Sequence, residues 1–238
     1  MRRDGDKRDV TPPQVRRRHT SSRSIFTAAW KSSVMSLGCV GLLLAGSGLV
    51  ASPALAQQAA ITRDTVLHDL DAPMGGNPKG DVTIVAFLDY NCPFCKKVDP
   101  ELERLIKADG NIRLVYKDWP ILSPASIHGA ELALAARYQG KYEAVHDVLM
   151  RIPGGHISNA TMDLALRTSG VNIDLLNRDL KRHFAEIQAL LRHNNDQAKA
   201  LGLKGVPAFL IGPYDVAAAL DYDDFAKVVA DARTLQGK

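Results

Sequence analysis

The sequence predicts an α/β chain in which an all-helical block interrupts a mixed sheet. Three observations carry this. Val82 to Leu88 is a continuous β-branched and apolar run of the kind buried on both faces of a sheet, followed by a helical stripe and a second strand-like run from Ile112 to Tyr116. From Pro124 to Leu203 the periodicity is almost wholly helical, and strand character returns only at Val206.

The elements follow in order. Residues 1–33 are polar and basic, Val34 to Val50 is apolar without a charge, and Ala54-Leu55-Ala56 places small residues where a signal peptidase reads. Residues 1–56 are therefore expected to be a secretory signal cleaved after Ala56, which places the chain in the periplasm. An uncleaved anchor fits less well, because the apolar run is short and Ser52-Pro53 breaks a helix where an anchor would continue. Lipidation at Cys39 also fits less well, since that cysteine opens the apolar run and does not end it. Arg17-Arg18 is followed by His19-Thr20-Ser21, which is a poor twin-arginine signal.

Setting the segment aside changes the charge. The whole chain has 30 basic and 26 acidic residues, of which the segment holds nine and three, so the remainder carries 21 basic against 23 acidic. The high isoelectric point of about 9.0 belongs to the signal, and no nucleic-acid footprint is left. Contact with a membrane is expected only through the signal segment, were it left uncleaved. The remaining 182 residues suffice for one domain with a sizeable insertion.

Residues 57–80 read as a lead-in, with Ile61 to Leu70 an edge strand or approach and Asp71 to Gly80 rich in turn formers. After the strand Val82 to Leu88, a helix carries Phe94, Val98, Leu102, Leu105 and Ile106 on one stripe, with Pro93 suited to its first turn and Asp109-Gly110 closing it. Pro100 lies well inside and should kink it. The insertion, about 124–203, shows the alanine-rich run Ala130 to Arg137, then Tyr142, Val145 and Leu149, then Leu176, Leu180, Phe184, Ile187 and Leu191. Pro207 to Ile211, the turn Gly212-Pro213 and Asp215 to Ala219 read as a hairpin. A final helix starts near Asp221, with Phe225, Val228, Val229 and Ala232 inward.

The chemistry concentrates at Cys92-Pro93-Phe94-Cys95, which holds every cysteine outside the signal segment. A lone Cys-X-X-Cys at a strand-to-helix junction marks a redox-active dithiol. Cys92 at the amino end of a helix faces unpaired backbone N–H groups and the positive end of the helix dipole, both of which favour thiolate. Cys95 is then close enough to resolve a mixed disulfide, and Pro93 and Phe94 tune the balance by fixing the turn and limiting donors near the sulfur. A purely structural disulfide here would close so short a loop that it contributes only about 2 kcal/mol, against roughly 4 to 5 for a long one. Zinc needs four ligands, and His128, His146, His156, His183 and His193 show no ligand spacing, reading instead as helix-surface or interface residues. No metal is therefore expected. Cu(I) handling by the dithiol is the minority reading.

Taken together, the strand, Cys92-Pro93-Phe94-Cys95, Pro100 five residues on, a long helical insertion and Gly205-Val206-Pro207 opening a late strand resemble the DsbA family of thioredoxin-fold proteins. The resemblance covers Gly80 to Arg233 and extends to Gly76-Asn77-Pro78-Lys79-Gly80 before the first strand. It implies a thioredoxin-like fold over residues 81–238 with an inserted helical subdomain, and a protein thiol:disulfide oxidoreductase without a cofactor. Cys92 would be the exposed nucleophile, Cys95 the buried resolving cysteine, and Pro207 a cis-proline against the pair. The Val206 backbone would pair with an extended client by strand addition. Partners would be client proteins with cysteines or disulfides, and a redox partner protein.

One position departs from the pattern. Many thioredoxin-fold enzymes carry a buried carboxylate six residues before the first cysteine, where this chain has Ala86. Proton transfer at Cys95 would then rely on water or Lys96, since Asp89 should point elsewhere. Disulfide donation is the favoured direction. The alternatives are a reductase or isomerase of the same fold, or a non-catalytic chaperone or Cu(I)-binding module using the dithiol. An isomerase of this superfamily usually adds a dimerisation domain, which residues 57–79 are too few to form.

Overall fold

The computed structural model describes residues 15–17 and 60–237. Six strands, β1 (Val15–Arg17), β2 (Met74–Gly76), β3 (Val82–Leu88), β4 (Ile112–Asp118), β5 (Ala208–Ile211) and β6 (Tyr214–Val216), form one sheet in the order β1-β6-β5-β3-β4-β2. β3 and β4 run parallel, and every other pair is antiparallel. β3 is central and covered on both faces, which is why it is apolar apart from Thr83. Of the expected signal segment, only β1 falls within the described residues.

The alternation of β3 divides the core. Ile84, Ala86 and Leu88 join the larger cluster, with Leu114, Tyr116 and Phe209 from neighbouring strands. Val85 and Phe87 point to the other face, against Val66, Val115, Trp119, Ala198, Leu201 and Leu210. Helix α2 (Pro93–Asp109) joins β3 to β4 and buries Cys95, Val98, Leu102 and Leu105 on the first face. Gly110, at φ 69, closes it in the left-handed conformation that glycine adopts without strain. The helix runs through Pro100 unbroken.

Two expectations for this region change. Phe94, expected on the buried stripe, is 62% exposed in the first turn of α2 at the carboxyl end of the sheet. Residues 61–70 form neither an edge strand nor an extended approach. Helix α1 (Arg63–Leu67) occupies them, started by a reciprocal capping box between Thr62 and Thr65. Val66 is fully buried, and β2 adds a strand to the edge of β4, so residues 60–80 contribute to sheet and core.

The insertion comprises α3 (Pro124–Ala136), α4 (Tyr142–Met150), α5 (Asn159–Ala165), α6 (Ile173–Arg182) and α7 (Phe184–Ala200). Ser123 caps α3, its side chain accepting the Ser126 N–H at 3.1 Å, and Pro124 takes the first turn. Tyr142, Val145, Leu149, Leu176, Ile187 and Leu191 are buried as their spacing predicts. Phe184 is not: α6 ends and α7 begins at His183, and the break turns Phe184 outward to 51% exposure. Helix α8 (Tyr222–Leu235), capped by Asp221, buries Phe225, Val229 and Ala232, leaving Val228 half-buried. Its Arg233 bonds Asp81 before β3 and Asp109 at the end of α2.

Among the described residues no helix is long and apolar enough to cross a membrane.

Candidate functional site

β3 ends at Leu88 and α2 begins at Pro93, so residues 89–92 form the turn that sets the two cysteines at the carboxyl end of the central strand. Cys92 is the N-cap of α2, and its Sγ accepts the Cys95 N–H at 3.2 Å. Pro93 follows at the first helical position, where a missing N–H costs nothing. The Val206–Pro207 peptide bond is cis, and the Val206 carbonyl oxygen lies 3.5 Å from Cys92 Sγ. Two segments distant in sequence thus meet at one sulfur.

The two thiols are driven apart electrostatically. Hydrogen bonds from the Cys95 thiol, and from the Cys95 and Phe94 amides, bring Cys92 down to about 6, with burial and the Asp89 charge opposing. Burial pushes Cys95 far up, and the bond it gives to Cys92 adds to the rise. Near neutral pH the pair holds one thiolate and one thiol, which is the arrangement disulfide exchange requires.

Cys92 is not the exposed position that the resemblance implies. It is 3% exposed, because the Val206–Pro207 peptide lies against its sulfur while only Pro93 and Phe94 of the motif face solvent. Ile121 and Leu122, whose amides Asp89 holds, are 43% and 52% exposed, and a shallow recess of about 180 Å³ beside Ile121 is lined by Trp119, Ile127 and Leu191 together with Gln188, Arg192 and Asn195. A larger recess of about 590 Å³ lies within the insertion, lined by residues such as His128, Leu164 and Ile173 and none of the dithiol motif.

The turn itself is held by three consecutive side chains. Asp89 accepts the Asn91 N–H at 2.7 Å and the Ile121 and Leu122 N–H groups at 2.9 and 3.0 Å. Its carboxylate is committed to backbone amides while its charge still acts on Cys92, Cys95 and Lys96, and Ala86 is fully buried in the core. Tyr90 meets His146 through its hydroxyl at 3.0 Å, and His146 Nε2 lies 3.0 Å from Asp99 on α2. Asn91 donates to Ser123 Oγ at 3.0 Å and to the Ile157 carbonyl at 3.4 Å, and accepts the Ile157 N–H at 2.6 Å.

His146 corrects the surface or interface position expected for it. It is 2% exposed, ringed by Tyr90, Tyr116 and Tyr142. Burial works against its charge, but Asp99 beside it, with Asp118 and Asp147, lifts its pKa above the ordinary value. Asp118, whose Oδ2 accepts the Tyr142 hydroxyl at 3.1 Å, is pushed up to about 6 by burial. Lys96, the residue after Cys95, donates to the Ile152 carbonyl at 2.7 Å. Its pKa is lowered by burial, against the attraction of Asp89 and the two sulfurs.

Comparison with known proteins fits this geometry. A family model described as thioredoxin matches residues 69–231. A thioredoxin-like oxidoreductase from Silicibacter pomeroyi superposes with a TM-score of 0.68 at 39% identity, over 73% of this chain and 98% of that one. The thiol-disulfide exchange protein alpha-DsbA2 from Wolbachia pipientis gives 0.66 at 29% identity, over 71% and 90%. BdbD from Bacillus subtilis, at 15% identity and a TM-score of 0.60, shares the fold. Among curated proteins, a Na(+)/H(+) antiporter NhaA 1 from Salinispora arenicola is 28% identical over 140 residues, 57% of this chain and 21% of that protein. The chain thus spans about a fifth of that relative's length. The chain belongs to the thioredoxin family, and within it is a DsbA-like thiol:disulfide oxidoreductase.

Proposed function

We propose that the protein is exported and donates disulfides to client proteins, with Cys92 as nucleophile and leaving group and Cys95 as its partner. The observation that carries this is the Cys92 thiolate at the amino end of α2, held down to about 6 beside a buried, protonated Cys95. A reduced form stabilised in this way makes the disulfide a strong oxidant.

The reaction balances as follows. A client thiolate attacks the Cys92 sulfur of the Cys92–Cys95 disulfide, and Cys95 leaves and takes up a proton. A second client thiolate attacks the client sulfur of the mixed disulfide, and Cys92 leaves as thiolate. Two electrons pass from the client to the dithiol, and a redox partner protein must remove them before the next turnover. The Val206 backbone beside the sulfur and the apolar rim of Phe94, Ile121 and Leu122 favour an extended client with apolar residues near its cysteine. Pro93 brings no N–H to the sulfurs, whereas the Phe94 amide donates to Cys92, and the two residues tune the pair in this way. Export rests on the character of residues 1–56, and a periplasmic thioredoxin-like protein from Salmonella enterica, 25% identical with a TM-score of 0.63, supports it.

The test is a redox titration against glutathione of the chain recovered from the periplasm after expression of the full sequence. A mass matching a start at Gln57 supports export, and an unprocessed cytoplasmic chain refutes it. A potential near about −120 mV supports donation, whereas one near about −270 mV makes the protein a reductant.

A further inference from the structure

The segment Ile152-Pro153-Gly154-Gly155-His156-Ile157 joins α4 to α5, and its two ends are bonded to the two residues that flank the dithiol motif. At its start, the Ile152 carbonyl accepts the Lys96 ammonium at 2.7 Å. At its end, Ile157 exchanges bonds with Asn91: its N–H donates to Oδ1 at 2.6 Å and its carbonyl accepts from Nδ2 at 3.4 Å. Asn91 immediately precedes Cys92, and Lys96 immediately follows Cys95. Between these anchors the segment lies on the motif: a Cβ added at Gly155 would come 3.2 Å from the Asn91 carbonyl oxygen and 3.6 Å from Pro93 Cδ. His156 sits at φ 58, in the left-handed region that histidine enters more often than most residues.

A surface loop between two helices needs none of this to connect them. Two side-chain anchors, a glycine at the one close approach and a left-handed histidine together hold six residues as a strap along the active-site turn. Beside the strap, Asp89 holds the Ile121 and Leu122 amides, and Asn91 Nδ2 joins the two segments by donating to Ser123 Oγ as well as to the Ile157 carbonyl. Resting on the disulfide-exchange reading, we propose that Asn91 and Lys96 are positioning residues that fix the strap 152–157 as one wall of the client channel, so that the strap selects extended polypeptide clients over small thiols. A polypeptide must lie along the strap to bring its cysteine to Cys92, whereas glutathione needs only the sulfur.

The variant Asn91→Ala removes the bonds to Ile157 together with the one to Ser123 Oγ, and leaves both cysteines and Lys96 in place. Exchange is measured with a two-cysteine peptide carrying apolar residues beside the cysteines, and with glutathione. For Asn91→Ala the expected result is a kcat/KM for the peptide lowered about tenfold relative to the rate with glutathione, carried mainly by KM. Equal losses with both partners, or no loss with either, overturn the proposal. Should Asn91→Ala fail to fold, Gly155→Ala pushes the strap off the Asn91 carbonyl from outside and is expected to shift the same ratio in the same direction; an unchanged ratio overturns the proposal. Lys96→Arg, which keeps a donor for Ile152, is expected to retain the wild-type ratio, and its loss counts against the anchoring role. Wild-type protein that exchanges with neither partner sinks the disulfide-exchange reading itself, and the strap's role with it.

Discussion

Cys92 and Cys95 stand one helical turn apart and titrate in opposite directions, the first drawn down by donors at a helix start and the second pushed up by burial. Alkylation of the reduced protein by iodoacetamide should therefore modify Cys92 alone, with a pH midpoint near about 6; a midpoint near 9.0, the ordinary thiol value, would refute the thiolate. The same depression contributes stability to the folded dithiol. That contribution is full above the ordinary thiol value and is lost as pH falls through about 6. The thiolate was legible in the sequence because it depends on local placement: a cysteine followed by a proline at the start of an amphipathic helix. The burial of Cys92 was not, since the covering Val206 carbonyl lies 114 residues away. Asn91 was passed over for the same reason, its partners Ser123 and Ile157 being 32 and 66 residues distant.

Helix α2 shows how an element can carry a fault in its own ladder. Pro100 has no N–H to give the Lys96 carbonyl four residues earlier, yet the helix continues on both sides because Val98, Leu102 and Leu105 bury its stripe. Pro100→Ala restores that bond at an exposed position and releases some unfolded-chain stiffness, so a net gain of about 1–2 kcal/mol is expected in urea unfolding. A loss of stability would show that the ring makes a contact the helix needs. Long periodic elements of this kind could be read directly. Short ones could not: α1 is five residues and β2 three, too brief for periodicity, though the Thr62 and Thr65 pair was a visible helix-start signal. The strap could be seen only as Pro153-Gly154-Gly155 interrupting a helical block, with nothing to say where it lies.

At the scale of the whole molecule, a buried ionic cluster joins pieces that the sequence keeps far apart. Asp69, before β2, pairs with the fully buried Lys117 of β4 and accepts from Gln197 of α7 at 2.8 Å, with His193 at 3.0 Å. Burial opposes the Asp69 charge, but Lys117 and Gln197 prevail and bring it down to about 2. Its stabilisation is present above the ordinary carboxylate value of 3.8 and is lost as pH falls through about 2. Asp69→Ala strands an ammonium in the interior and should cost about 3–5 kcal/mol in urea unfolding, while Asp69→Ala combined with Lys117→Met should recover much of it. A loss below about 1 kcal/mol for the single variant would refute the coupling. Periodicity forecast the order of sheet, insertion and closing helix, but it places no charge inside a core, and Lys117 lies just beyond the strand run expected from Ile112 to Tyr116.

Trp119 gives the molecule an optical property. The sequence has two tryptophans, and Trp30 lies in the segment proposed to be removed. Trp119 remains, 5% exposed, edge-on to Phe87 at 6.0 Å, its indole N–H donating to Asn195 at 3.3 Å. It begins the stretch whose Ile121 and Leu122 amides Asp89 holds beside the dithiol. Emission from a processed chain therefore arises at a single buried indole two residues before Ile121, and the protein carries its own fluorescent reporter of the stretch that Asp89 holds.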